Sequence, residues 1–106
     1  MPQEDPIQPS RCAEQLKALA APERLQIIRF LRDGPRNVTE IAEMLRTKPV
    51  NVTHHIGVLR GARMLRRRKS GRKVFYSLWP GFVEPGATGK THRLNLGCCW
   101  LELPAG

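Results

Sequence analysis

The sequence predicts a mainly α fold that carries a small β-hairpin, and three observations lead there. Apolar residues recur at helical spacing in four separate stretches before Gly61. Each stretch is bounded by a Pro, a Gly or a side chain suited to capping. From Met64 the helical period gives way to β-branched and aromatic residues around Ser70-Gly71.

The elements follow in order. Residues 1–9 carry Pro2, Pro6 and Pro9 and read as a disordered arm. Ser10 suits the N-cap of a first helix, Arg11–Ala20, whose stripe is Ala13, Leu16, Leu19 and Ala20. Pro22 fits the first position of a second helix, Pro22–Arg32, with Leu25, Ile28 and Leu31 on one face. Gly34 and Pro35 end it. Asn37-Val38-Thr39-Glu40 has the spacing of a capping box and opens a third helix with Val38, Ile41 and Leu45 inward. After the break Thr47-Lys48-Pro49, the stretch Thr47–Arg60 predicts a fourth helix that buries Val52, Ile56 and Leu59.

Met64–Lys69 and Arg72–Leu78 then read as strands joined by a two-residue turn at Ser70-Gly71. Two helices across a three-residue break, followed by a basic hairpin, describe a winged helix-turn-helix over residues 10–79. Residues 80–106 read as an irregular, cysteine-bearing tail, because Pro80, Gly81, Pro85, Gly86 and Gly89 oppose a helix. Within it His92–Leu103 alternates at Leu94, Leu96, Cys98 and Trp100 and reads as one C-terminal strand.

Charge narrows the function. Eighteen basic residues against nine acidic give a net charge of +9. Seven of the nine acids precede Met44, and no acid lies between Met44 and Val83. A basic domain of this size is built to meet a polyanion. The chain has no run of eighteen apolar residues, so no membrane span is expected. MPQEDPIQPS has neither the basic nor the apolar region of a secretory signal, so the cytoplasm is expected. Its three cysteines are then expected as reduced thiols. A glycine-rich phosphate loop and a nucleophile signature are both missing, which argues against an enzyme.

Four segments carry a resemblance: LKALAAPERLQIIRFLRDGP, NVTEIAEML, VNVTHHIGVLRGARML and RRRKSGRKVFYSL. Together, over Leu16–Leu78, they resemble the ArsR family of winged-helix transcriptional repressors. The resemblance implies a homodimer on double-stranded operator DNA, released by a metal or metalloid ion or another effector. Two departures stand out. No cysteine occurs at the start of the third helix, which reads Pro35-Arg36-Asn37-Val38. The family's last helix is replaced by the Pro/Gly-rich segment and the cysteine-bearing tail.

Candidate DNA contacts are Lys48, Asn51, Thr53 and His54 on the fourth helix, whose donors and acceptors suit base edges in the major groove. Arg68, Lys69, Arg72 and Lys73 on the wing suit phosphates. Arg36 and Thr39 are further backbone candidates. His54 and His55 are adjacent, point about 100° apart on a helix, and do not suit one metal. Leu16 and Leu19 are the candidate dimer contacts. Cys98, Cys99 and Cys12 are the candidate metal ligands, since thiolates take soft ions. In a strand Cys98 and Cys99 would point to opposite faces unless Gly97 allowed a bulge. Competing readings are a thiol-based metal-binding or redox protein, and a non-specific nucleoid-like DNA binder.

Overall fold

In the computed structural model, residues 9–104 are described. The proposed disordered arm falls almost wholly outside them. Four helices come first: α1 (Pro9–Leu19), α2 (Pro22–Leu31), α3 (Val38–Leu45) and α4 (Pro49–Gly61). A two-stranded sheet follows, β1 (Leu65–Ser70) with β2 (Lys73–Leu78). A three-stranded antiparallel sheet closes the chain: β3 (Val83–Pro85), β4 (Thr91–Asn95) and β5 (Trp100–Pro104), in that spatial order.

Local chemistry explains the helix ends. Pro22 and Pro49 sit in the first turns of α2 and α4, where no backbone donor is missed. The capping box at α3 forms as its spacing predicts. Asn37 Oδ1 accepts from the Glu40 amide at 2.8 Å, and the Asn37 amide donates to Glu40 Oε1 at 3.1 Å. That backbone bond, with Arg36 beside it, holds the Glu40 carboxyl below its usual pKa. Helix α3 ends with Arg46 in the left-handed region (φ 55°), and the Thr47 amide reaches back to the Ala42 carbonyl at 3.1 Å. This Schellman arrangement makes the sharp turn into α4. Lys48 occupies the N-cap of α4 and gives no side-chain cap.

One core unites all the elements. Ile27, Ile28 and Leu31 of α2 meet Ile41 of α3 and Val52, Ile56 and Leu59 of α4. Met64, Leu65, Phe82, Leu94 and Leu96 extend the same cluster toward the C-terminus. The tail is therefore not irregular, and His92–Leu103 is two strands instead of one. Val83 pairs with Leu94, and Leu94 pairs with Leu101, so the apolar side chains of all three strands share one face. The opposite face carries Arg93, whose guanidinium meets Glu102 at 3.1 Å and Glu84 at 3.9 Å.

The wing register differs by one residue from that expected. Gly71 and Arg72 form the turn, with Ser70 opposite Lys73 and Leu65 opposite Leu78. A turn at Ser70-Gly71 would have set Lys69 opposite Arg72 and Arg68 opposite Lys73. The observed register faces Arg68 with Phe75 and Lys69 with Val74, so no cation directly opposes another. It also puts Gly71 (φ 62°) at the first central position, where a type II′ hairpin needs positive φ.

Gly86 is where β3 leaves for β4, and a Cβ there would collide with the Thr91 side chain and come 2.9 Å from its carbonyl carbon. Gly86→Ala is expected to destabilise the chain by about 1–3 kcal/mol. Faster amide hydrogen exchange should then appear across 83–104 before it appears in α4; unchanged protection in that sheet would contradict the tight crossing.

Candidate nucleic-acid interface

Helix α4 is divided by burial. Val52 and Leu59 are fully buried and Ile56 nearly so, while Lys48, Val50, Asn51, Thr53 and His54 are exposed. Three predicted contacts, Lys48, Asn51 and His54, thus lie on the accessible side with no acidic residue on the helix. Asn51 Nδ2 donates to Thr47 Oγ1 at 2.8 Å, which holds the amide while leaving its Oδ1 and a second N–H to meet a base. Thr53 is also exposed, but its hydroxyl donates to the Pro49 carbonyl at 3.0 Å. It offers a methyl group and lone pairs, and no donor. Val50, 69% exposed, was not foreseen as a contact. Its signal was an apolar residue just after Pro49 and off the buried stripe; such a side chain suits a thymine methyl.

The wing presents Arg66, Arg67, Arg68, Lys69, Arg72 and Lys73, all exposed. It is fastened at two points. Met64 N–H donates to the Leu59 carbonyl at 3.0 Å, joining the hairpin to the end of α4. Arg36 and Tyr76 exchange backbone hydrogen bonds of 3.0 and 2.8 Å, joining β2 to the approach of α3. The Arg36 guanidinium lies 4.6 Å over the Phe30 ring and meets Glu40 Oε2 at 3.3 Å. Its buried Nε lacks a partner among the described residues. Arg36 is therefore a fastening of the fold; Thr39, the other backbone candidate, is exposed.

The cysteines meet. Cys12 of α1 and Cys98 form a disulfide across 86 residues, and Cys99 stays free. Cys99 Sγ lies 3.9 Å from Cys12 Sγ and 3.8 Å from Cys98 Sγ. The expected set of three reduced thiols is corrected here, although the three candidate ligands are brought together. The reason is the β4–β5 turn. Gly97 takes φ 84°, its amide donates to Asn95 Oδ1 at 2.9 Å, and Leu96 N–H donates to the Cys99 carbonyl at 2.9 Å. Neighbouring residues of a turn need not alternate faces as strand residues do. In the same core Leu19 is 4% exposed and so is spent within the monomer, whereas Leu16 is 41% exposed.

Comparison with known proteins agrees with this architecture. Residues 21–67 match the family model for bacterial regulatory proteins of the arsR family. The structure of reduced HlyU from Vibrio cholerae superposes with a TM-score of 0.63 at 30% identity, over 69% of this chain and 77% of that one. The chain belongs to the ArsR family. NmtR, an HTH-type transcriptional regulator of Mycobacterium tuberculosis, is 39% identical over 70% of this ArsR-family chain and 62% of its own length. A regulator domain from Mycobacterium bovis, described as a homodimeric winged helix-turn-helix DNA-binding domain, superposes with a TM-score of 0.65 at 26% identity, over 74% of each chain. The chain spans about half to three-fifths of the length of several curated relatives it matches. The family match covers residues 21–67, so the C-terminal sheet and all three cysteines lie outside it.

One residue that sequence reasoning missed ties α4 of this ArsR-family chain to α1. Arg24 Nε donates to the Ala18 carbonyl at 2.6 Å and Nη2 to the Lys17 carbonyl at 3.2 Å. Its Nη1 donates to His55 Nδ1 at 3.1 Å. Arginine cannot accept, so His55 must be neutral at Nδ1. Burial lowers the His55 pKa, and the Arg24 charge adds to the effect. A basic group depressed in the fold takes up its proton more readily when unfolded. Its stabilisation is complete above the ordinary value of 6.5 and is lost as pH falls through the folded value. The thermal midpoint should therefore drop from about pH 7 to about pH 5, and drop less in His55→Gln, which keeps an acceptor but does not titrate. Identical pH slopes for the two proteins would contradict the Arg24–His55 link.

Proposed function

We propose that this chain is a cytoplasmic, dimeric repressor that binds double-stranded operator DNA and is released when a soft metal or metalloid ion binds at Cys12, Cys98 and Cys99. One observation carries the DNA-binding part: α4 keeps an acid-free face of Lys48, Val50, Asn51 and His54 in solvent beside a wing of six exposed cations. A helix of this size fills a major groove, and Asn can bond adenine N6 and N7 together. Arg68, Lys69, Arg72 and Lys73 serve as phosphate contacts, each adding roughly −0.9 to the slope of log affinity against log salt.

The homodimeric Mycobacterium bovis neighbour supports pairing, and so does the exposure of Leu16 on α1. Two copies would place their reading helices about 34 Å apart on a palindromic site. The effector part is supported by the three sulfur ligands, which lie within 4.8 Å of one another. Once the Cys12–Cys98 bond is reduced, thiolates at that spacing suit a thiophilic ion, which would replace three S–H protons with bonds to one centre.

Fluorescence anisotropy against the DNA upstream of the chain's own gene, with random duplex as competitor, tests this function. Asn51→Ala is expected to weaken upstream DNA by about 1–3 kcal/mol and leave random DNA unchanged. Equal affinity of the unaltered protein for both duplexes would reject sequence-specific repression in favour of a non-specific binder.

A further inference from the structure

The sulfur cluster sits in two chemically different conditions at once. Cys12 and Cys98 are joined as a disulfide, while Cys99 remains a thiol within 3.9 Å of both. We propose that this is a redox-gated ion site: reduced, the three sulfurs take one thiophilic ion; oxidised, the Cys12–Cys98 bond excludes it. The proposal rests on the reading that these cysteines receive the effector, and adds what regulates them.

The geometry favours a shared site. Metal–sulfur bonds of about 2.3 Å at tetrahedral angles hold sulfurs about 3.8 Å apart. Cys99 already stands at 3.8 and 3.9 Å from its two neighbours. Opening the disulfide lets the remaining pair separate to the same spacing. With the disulfide closed, one thiol remains, and two neutral sulfurs replace two thiolates. The states therefore compete for the same atoms. Both also join α1 to the β4–β5 turn, so either would hold those elements together, while only one would hold an ion.

The chemistry balances with a peroxide as oxidant. One thiolate attacks a peroxide oxygen, the O–O bond breaks, and a sulfenic acid and hydroxide form. The second thiol attacks that sulfur, the S–S bond forms, and the sulfenic oxygen departs as water. Two thiols thus give up two electrons and two protons, and one hydrogen peroxide becomes two waters. An exogenous dithiol reverses the state by exchange and leaves as its own disulfide. Cys99 adds an internal route, because its thiolate can attack either bonded sulfur and displace the other.

The test uses the full chain and Cd2+ alone, read by ultraviolet sulfur-to-metal charge-transfer absorption and by titration of free thiols. Dithiol-reduced protein is expected to bind one Cd2+ per chain and lose three titratable thiols. Peroxide-treated protein should show a Cys12–Cys98 crosslinked peptide by mass spectrometry, one titratable thiol and no charge-transfer band. The band should return on reduction. Reduced Cys99→Ser should keep the crosslink chemistry but bind Cd2+ more weakly by on the order of 100-fold; circular dichroism checks that it is folded. Equal Cd2+ binding by oxidised and reduced protein would overturn the gate, as would no binding by the reduced form. Anisotropy with DNA separates the underlying reading: gated Cd2+ binding that leaves DNA bound removes the effector role and keeps the gate. Release of DNA by Cd2+ in both redox states does the reverse.

Discussion

Burial of Val52, Ile56 and Leu59 sets the rotation of α4, and the interface depends on that rotation. Each aliphatic side chain removed from water contributes about 1.5–3 kcal/mol, so the stripe resists turning. Successive helical residues advance by about 100°, so fixing those three fixes where Asn51 and His54 face. The partners of the stripe lie on α2 and α3, at Ile27, Ile28, Leu31 and Ile41. The left-handed Arg46 and the Schellman bond to Ala42 deliver the chain from α3 into α4 at the angle that this packing needs. A polar reading face is therefore the consequence of an apolar constraint on the other side.

The C-terminal sheet ties the cysteines to this unit. Phe82, Leu94 and Leu96 place it in the common core, and its turn sets Cys98 and Cys99 against Cys12 of α1. Helix α1 in turn is held by Arg24, which also contacts His55 of α4. The cysteine cluster and the reading helix thus share one neighbour, α1, through covalent and hydrogen-bonded attachments. A change in how the sulfurs are joined has a short physical path to α4.

Much of the first 78 residues was legible because its signals are local. Pro22, Pro49 and the Asn37/Glu40 pair mark helix starts through chemistry within one turn, and the stripes repeat every three or four residues. The hairpin was legible as a hairpin, but its register was not, because the deciding repulsions lie across the strands between Lys69 and Arg72. The C-terminal sheet was misread for a related reason. Leu94, Leu96, Cys98 and Trp100 look like one alternating run until the turn at Leu96–Cys99 is seen to double it back and set Leu101 opposite Leu94. β3 is three residues long and has no signal without its partner. The three cysteines were legible as candidates; that Cys12 and Cys98 would bond required knowing that α1 and a distant turn are neighbours. Arg24 was invisible in the sequence because its partners are two backbone carbonyls and a histidine 31 residues away.

The most direct test of the central claim is a nuclear magnetic resonance titration of the isotope-labelled chain with duplex DNA from upstream of its gene. Amide shifts should concentrate at Lys48–His55 and at Arg66–Lys73, with Val83–Pro104 nearly unmoved. Shifts confined to the C-terminal sheet, or spread evenly over every basic residue, would contradict a fixed reading helix.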